Sequence, residues 1–458
     1  MQTNEARRKP HDPVPSAMIR SETEHIVAAA TSDCALRPTA FLRRAAVCPR
    51  GFWSHAGRWS AYAGRCDALR GAAGPARFAI ARDAARRLLE HVDAPADHPV
   101  APRLHGGFRF GGSGAPRAEW AAFGHGSLLL PALELTSGPA GPWLTGRFRA
   151  RDDDDDALAA ARDRMAAFVA ADEPPGPRAI AARVRADAPS RDQWDRAVRT
   201  VLAEIDRGAF DKFVLARTLD IVAESAIDPL DVLERLIEQN PASTIFYHEP
   251  VPGTVLLGAA PEVIVTLHGR DFVTTAVAGS VRRGATDEED RTLARHLLES
   301  EKDRHEHAIG VRDTVDRVRP FTESIEVEPE PHVLRLARIH HLETRIAARV
   351  ASGHHVLDLL GAVHPTAAVS GSPRDAVLAF MPSVETFDRG WYAGPIGWCD
   401  ANGDGVFAPA LRSAIVTDQR WRLYAGAGIV AGSDPALEWA ETALKFEPML
   451  RAIGAVTE

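Results

Sequence analysis

Polar and apolar residues change their spacing along this chain, and the changes divide it into three stretches. The first forty or so residues mix Pro, Arg, Ser and Thr with no sustained period, which predicts a flexible N-terminal extension over 1–40. From 41 to 185, short apolar runs such as FAIA and SLLLPALEL stand among Gly, Pro and Arg, a pattern of strands joined by loops with a few helices. The acidic run Asp152–Asp156 opens an alanine-rich stretch, where negative charge suits the positive end of a helix dipole; it reads as a solvated helix start rather than a metal site. Past the Pro-rich EPPGPRA the text becomes denser. Ser190 to Arg207 has the period of an amphipathic helix, and KFVLARTLDIV, TVLLGAAPEVIVTL and DFVTTAVAG read as strands. Thr286 with Glu289 makes a capping box for one helical stretch of roughly thirty residues that stops before Pro320. GWYAGPIGW, FAPALRSAIV and WRLYAGAGIVAG are again strand-like, and a last helix starts at Asp434 and Pro435. The stretch 190–455 is therefore the denser, chemically richer part of one mixed α and β unit, with 41–185 as the N-terminal half of its scaffold.

Composition narrows what such a unit can be. With 458 residues, 45% hydrophobic and 25% charged, the chain can bury one large core or two smaller ones. It has no apolar run of about eighteen residues, and MQTNEARRKPHDP lacks the apolar segment of a signal peptide, so a cytoplasmic location and no membrane partner are expected. Cys34, Cys48, Cys66 and Cys399 form no C-x-x-C pair, which argues for reduced thiols and against structural zinc or a disulfide framework. The net charge of −8 is spread along both halves with no basic stripe, which disfavours nucleic acid and leaves a small molecule as the expected partner.

Several residues sit where their chemistry is out of place. Period-two alternation puts Lys212 on one strand face with Val214 and Ala216. Burial there would strip hydration from the ammonium and favour the neutral amine, a general base; an edge lysine that blunts strand pairing is the alternative. Glu262 lies between two very apolar stretches, expected to pair as a hairpin through a turn at Gly258 to Pro261. A buried carboxyl stays protonated near neutrality and can donate to a departing hydroxyl, whereas a turn glutamate facing water does nothing of the kind. In SDPALEWAETALK, Glu438, Glu441 and Lys445 share one helix face, and Glu306 in EKDRHEHAIGVR can turn toward the same cavity. Three converging carboxylates repel one another unless a hard cation neutralises them, which suits Mg²⁺; an ordinary solvated helix face is the competing reading. DANGDG, from Asp400, copies half an EF-hand loop but has Leu411 at the twelfth position, so it reads as a hairpin turn. The pairs His340 with His341 and His305 with His307 lack companion ligands at zinc spacing. Gly426 and Gly428 match a dinucleotide fingerprint only formally, since too little chain follows; a loop whose N–H groups cradle a carboxylate fits better. Arg412, alone among apolar strand residues, would bind a carboxylate bidentately, or else sit on a strand edge.

The segments KFVLAR, GAAPE, AVAGSVRRG, SEKDRHEH, HPTAAVSGSP, RGWYAGPIGW, LRSA, YAGAGIV and EWAETALK occur in this order. Together they resemble the chorismate-utilising enzymes, a family that includes anthranilate synthase component I, aminodeoxychorismate synthase, isochorismate synthase and salicylate synthase. The resemblance covers about 190–450. It implies an α+β fold in a single large domain, with two antiparallel sheets packed face to face and helices outside. By position, it makes Lys212 the base that activates water and Glu262 the acid that protonates the leaving hydroxyl. Glu306, Glu438 and Glu441 become a magnesium shell. Tyr392, Arg412 and the backbone at Gly426 and Gly428 fall around the enolpyruvyl carboxylate, with Gly279, Ser280, His341 and Lys445 nearby.

Three positions bear on the reaction within the family. Lys212 is what a water-using member needs; Ala278 stands where covalent-type aminodeoxychorismate synthases carry a nucleophilic lysine; Ala368 replaces a threonine usual in anthranilate and salicylate synthases. The resemblance is therefore to the isochorismate synthases, with magnesium as the cofactor, and with product leading to siderophores, salicylate or menaquinone. It implies a monomer with no glutaminase subunit. Salicylate synthase, which goes on to eliminate pyruvate, and a non-catalytic chorismate-binding subunit are the alternatives. Ala260, Ala276 and Ala367 depart from the usual serine and two prolines, and none of them removes a proton-transfer or metal group.

Overall fold

The computed structural model describes residues 24–32, 34–93, 101–138, 141–151, 155–170, 182–223, 226–417 and 419–456. Its strands form one hydrogen-bonded network in which all pairings are antiparallel apart from two short parallel contacts. The network divides at one ribbon, Arg58–Arg70 paired with Gly126–Gly138. The second half of Gly126–Gly138 pairs with Gly141–Arg151, while its first half pairs with Arg103–Phe108. Two branches leave from there. One continues through Arg50–His55, Thr244–Val251, Thr254–Ala260, Ser413–Thr417, Arg420–Ile429 and Lys212–Ala223. The other runs through Pro395–Asp400, Gly405–Pro409, Val265–His268, Asp271–Arg282 and Ile339–Val350. Their inner faces meet at the site, where Arg412 of the first branch bonds His341 of the second. The α+β single domain expected from the sequence is what the chain forms.

Local chemistry explains where the site-bearing elements start and stop. The helix Arg191–Asp206 opens on a complete capping box between Ser190 and Gln193. The last helix, Pro435–Ile453, is capped by Asp434, whose side chain accepts from the N–H groups of Ala436 and Leu437, and it ends on Gly454 in the left-handed conformation. DANGDG is the expected turn, joining Pro395–Asp400 to Gly405–Pro409.

Four expectations are corrected. Within 1–40, Glu24–Thr31 is a strand paired along its whole length with Gly141–Arg151, and Pro38–Ala45 is a helix, so these residues belong to the fold and not to an extension; 1–23 lie outside the described residues, as do Asp152–Asp154. FAIA belongs to the helix Arg77–Leu89, whose apolar side packs on the core. The thirty-residue helix is two, Asp287–Glu299 and Glu301–Val318, because Ser300 takes extended dihedrals and caps the second by accepting from the Asp303 N–H. No hairpin forms through Gly258 to Pro261. Thr254–Ala260 pairs with strands of the first branch and Val265–His268 with strands of the second, so the segment carrying Glu262 is a crossing of the chain between them.

Candidate active site

The crossing fixes Glu262 between the two inner faces, 8% exposed, with no hydrogen-bond partner among the described residues. Burial pushes its carboxyl up to about 7, against the opposing pull of Lys212, Arg412 and Lys445 in that order. Lys212 opens the strand Lys212–Ala223 and pairs there with Ser372. Gly371, at φ +128°, lies so close to the Lys212 carbonyl that a β-carbon on it would stand 2.2 Å away. The lysine is 1% exposed, so it is not the edge lysine of the competing reading. Nor is it a free amine: Nζ lies 2.8 Å from Glu306 Oε1 on the helix Glu301–Val318.

Space for this pair comes from Gly428, where a β-carbon would sit 2.1 Å from Glu306 Oε1 and 3.0 Å from Lys212 Cε. Replacing Gly428 with alanine is expected to leave the fold intact, yet to lower turnover of the active enzyme about a hundredfold by displacing Glu306 and Lys212. Steady-state kinetics beside a thermal melt checks this, and unchanged turnover would sink it.

Gly426 and Gly428 are not in a loop before a helix, as expected, but inside the strand Arg420–Ile429. Their partners Ala216 and Val214 turn their backbone groups elsewhere: the Ala216 N–H donates to Glu385, and the Val214 N–H and C=O bond Ser370 and Arg389. By antiparallel alternation, the polar groups of both glycines then point to the strand's other edge. The Ser413–Thr417 ladder on that edge stops at Tyr424. Lys445 Nζ donates to the Gly426 carbonyl at 2.8 Å, and the Gly428 N–H is left on the open side, where Gly428 lines a cavity. The expected backbone donor exists, with a strand end supplying it.

Opposite, a bulge at Gly279, with φ +71°, interrupts the pairing of Asp271–Arg282 with Ile339–Val350, placing Ser280 across from His341. The His341 ring is buried, and burial holds it well below the usual imidazole range, followed by the nearby charges of Arg412 and Lys445. Since Arg412 Nη2 donates to Nε2 at 3.0 Å, the ring's proton is assigned to Nδ1, which reaches the Gly279 carbonyl at 3.0 Å and Ser280 Oγ at 3.0 Å. Arg412 itself has φ +49° and is 8% exposed, with no carboxylate in ion-pair contact among the described residues. Burial lowers its guanidinium to about 10. Tyr392 stacks on Tyr424 with ring centroids 4.8 Å apart.

Glu306, Glu438 and Glu441 come from two helices on either side of the cavity, and each faces a lysine. Glu438, 1% exposed, meets Lys302 at 2.7 Å, and Glu441 meets Lys445 at 2.6 Å. As placed, no three acidic, histidine or cysteine side chains among the described residues converge tightly enough to hold an ion. The donor chemistry nevertheless suits a hard cation. Burial and then the charge of Glu441 raise the Glu438 carboxyl, and the field of all three carboxylates reaches Lys302.

Glu262, Glu306, Glu441, Lys445, Arg412, His341, Tyr392, Gly279, Ser280, Gly426 and Gly428 all line one cavity of about 650 Å³, its mouth included. Lys212 lines a smaller chamber behind it, of about 360 Å³, and Glu262, Ala278 and Ala368 line both. Glu438 lines neither and reaches the site through Lys302 and Glu441. Sequence reasoning missed Lys302, although it stands four positions before Glu306. It also missed the buried pair of Arg389 and Glu385, which holds the Val214 carbonyl and the Ala216 N–H beside the site. The spacing of these two at i and i+4 was a signal, but one expected of a helix, and the segment here is irregular.

A buried guanidinium with no ion-pair partner among the described residues, an open strand N–H and a buried carboxyl pushed up to about 7 line one cavity, an arrangement able to bind a small organic anion and to protonate a group on it. The chain belongs to the chorismate binding enzyme family, whose model matches residues 15–454. It is 39% identical over 370 residues to a salicylate biosynthesis isochorismate synthase of Pseudomonas aeruginosa, covering 80% of this chain and 77% of that one. It is 33% identical over 357 residues to the isochorismate synthase MenF of Bacillus subtilis, with coverage of 78% and 75%. Among solved structures, the menaquinone-specific isochorismate synthase MenF of Escherichia coli superposes with a TM-score of 0.78 at 26% identity, covering 94% of this chain and 96% of that one.

Proposed function

We propose that this chain is a magnesium-dependent isochorismate synthase. The observation that carries the reading is the presence in one cavity of a buried cation with no ion-pair partner among the described residues, Arg412, and a buried carboxyl pushed up to about 7, Glu262. A substrate with two carboxylates and a leaving hydroxyl answers both. Arg412, Tyr392 and the Gly428 N–H take the enolpyruvyl carboxylate. Lys212 draws the proton from a water that adds at ring C2, the double bonds shift, and Glu262 delivers its proton to the C4 hydroxyl, which leaves as water. One water enters and one departs, so the product is an isomer and no redox cofactor is consumed.

Glu306, Glu438 and Glu441 would hold the magnesium. When bound, the ion would neutralise the ring carboxylate and take up the acidic charge that now pairs with lysines. His341 stays neutral against Arg412 and keeps the guanidinium aimed into the cavity. Ala278 and Ala368 leave the wall between the two chambers small, so water held beside Lys212 can reach the ring.

Purified protein given chorismate and Mg²⁺ is expected to form isochorismate, and to form chorismate again from isochorismate, as read by chromatography. Chelation of the metal should abolish turnover and added Mg²⁺ restore it. Full activity after exhaustive chelation would remove the metal from the reading. Salicylate and pyruvate in place of isochorismate would assign the chain to the pyruvate-eliminating members instead.

A further inference from the structure

A second, wider basin of about 1130 Å³ adjoins the site, and Pro261 and Arg412 line both it and the inner cavity. Its rim combines the 335–338 turn, the C-terminal half of the last helix and the segment 239–243. Among the described residues its lining contains five arginines and no aspartate or glutamate. Arg283 is neutralised by Asp290, and it donates to the Leu336 carbonyl at 2.8 Å, which ties down the turn that carries Arg335 and Arg338. Arg335, Arg338 and Arg451 are exposed and have no ion-pair partner among the described residues. On a chain of net charge −8, such a concentration of unopposed positive charge is not what an average surface supplies. A structural role explains the Arg283 side chain but none of these three, whose side chains make no hydrogen bond or ion pair among the described residues.

We infer that Arg335, Arg338 and Arg451 form an electropositive vestibule that draws the doubly charged substrate to the inner cavity against the chain's overall negative field. This rests on the reading of the site as one for a dicarboxylate. A dianion feels such a field twice as strongly as a monoanion, and exposed charges act through solvent that salt screens within about 8 Å at physiological ionic strength. The arginines therefore govern capture and leave the chemical step alone.

The test replaces all three arginines by glutamine in the full chain, with Arg162→Gln, on the helix Asp155–Ala170, as a control for the loss of one positive charge away from the basin. At low ionic strength the triple variant is expected to lose about tenfold in kcat/KM for chorismate with kcat within about twofold, and at about 0.5 M salt the two proteins should converge. The triple Arg→Lys variant should behave as the wild type, and Arg162→Gln should change little. Equal kcat/KM at low salt overturns the inference, as does a loss that persists undiminished at high salt, which marks a direct contact. Calorimetric binding of chorismate at the two salt concentrations reads the same comparison without turnover. A wild-type protein that binds chorismate in this salt-dependent way but makes no isochorismate would therefore sink the catalytic reading and leave the vestibule standing.

Discussion

Lys212→Arg and Lys212→Ala are both expected to lower kcat by about three orders of magnitude, with chorismate affinity changed far less. The two variants fail for different reasons, which is why both are needed. Alanine removes the amine but also leaves Glu306, only 7% exposed, without its partner at 2.8 Å. A stability loss of about 3 kcal/mol should accompany it, because breaking one side of a buried pair strands a charge. Arginine keeps a cation opposite Glu306 but cannot give up its proton in a protein, so it can support the ion pair and not the base. If Lys212 serves only to pair with Glu306, the arginine variant should keep a tenth or more of wild-type turnover. That result, with the substrate still bound in a calorimeter, would take the base away from this residue.

The sequence exposed the site's chemistry better than its geometry. Lys212, Glu262 and Arg412 were visible because each is an ionisable group in an apolar stretch, and the cost of burying charge makes such residues rare without purpose. The start of the last helix was legible, since Asp434 acts through bonds to its own neighbours and Pro435 through its fixed φ. What stayed hidden depended on partners distant in the chain. The run TVLLGAAPEVIVTL looks like a hairpin because both halves are apolar and a proline lies between them. Which strands those halves pair with is decided by Ser413–Thr417 and Gly405–Pro409, about 140 to 160 residues on. The break at Ser300 was hidden in the same way, because serine is tolerated in a helix and only its dihedrals reveal that it caps a new one. Gly426 and Gly428 drew attention as a loop motif, whereas their use is as strand residues that let Glu306 and Tyr392 approach the backbone. The lysine opposite each of the three carboxylates could not be inferred from spacing, except for Lys445, four positions after Glu441 on the same helix face.

Glu262→Gln should abolish most activity and at the same time stabilise the protein above neutral pH. The substitution keeps the shape of the side chain but removes the proton to be donated, so kcat is expected to fall about a thousandfold. In the wild type, an acid near 7 makes kcat/KM decline tenfold for each pH step above about 7, and in the variant the residual rate should lose that limb. Stability moves the other way. The folded carboxyl takes its proton at about 7 against an ordinary 4.5, so the folded state holds that proton more tightly than the unfolded chain does. Its contribution is most favourable below pH 4.5 and is lost as the pH rises through about 7, beyond which the native state must bury a charge with no hydrogen-bond partner. At about 1.4 kcal/mol for each factor of ten, the cost is at most about 3.5 kcal/mol. Glutamine avoids it, and the variant should melt a few degrees higher than the wild type at pH 8 while showing no such gain at pH 4.5. A variant that melts lower at pH 8 would mean that the fold stabilises the carboxylate instead of penalising it, which puts its folded titration below the ordinary range rather than above it, and a group already ionised at neutral pH has no proton to give the departing hydroxyl.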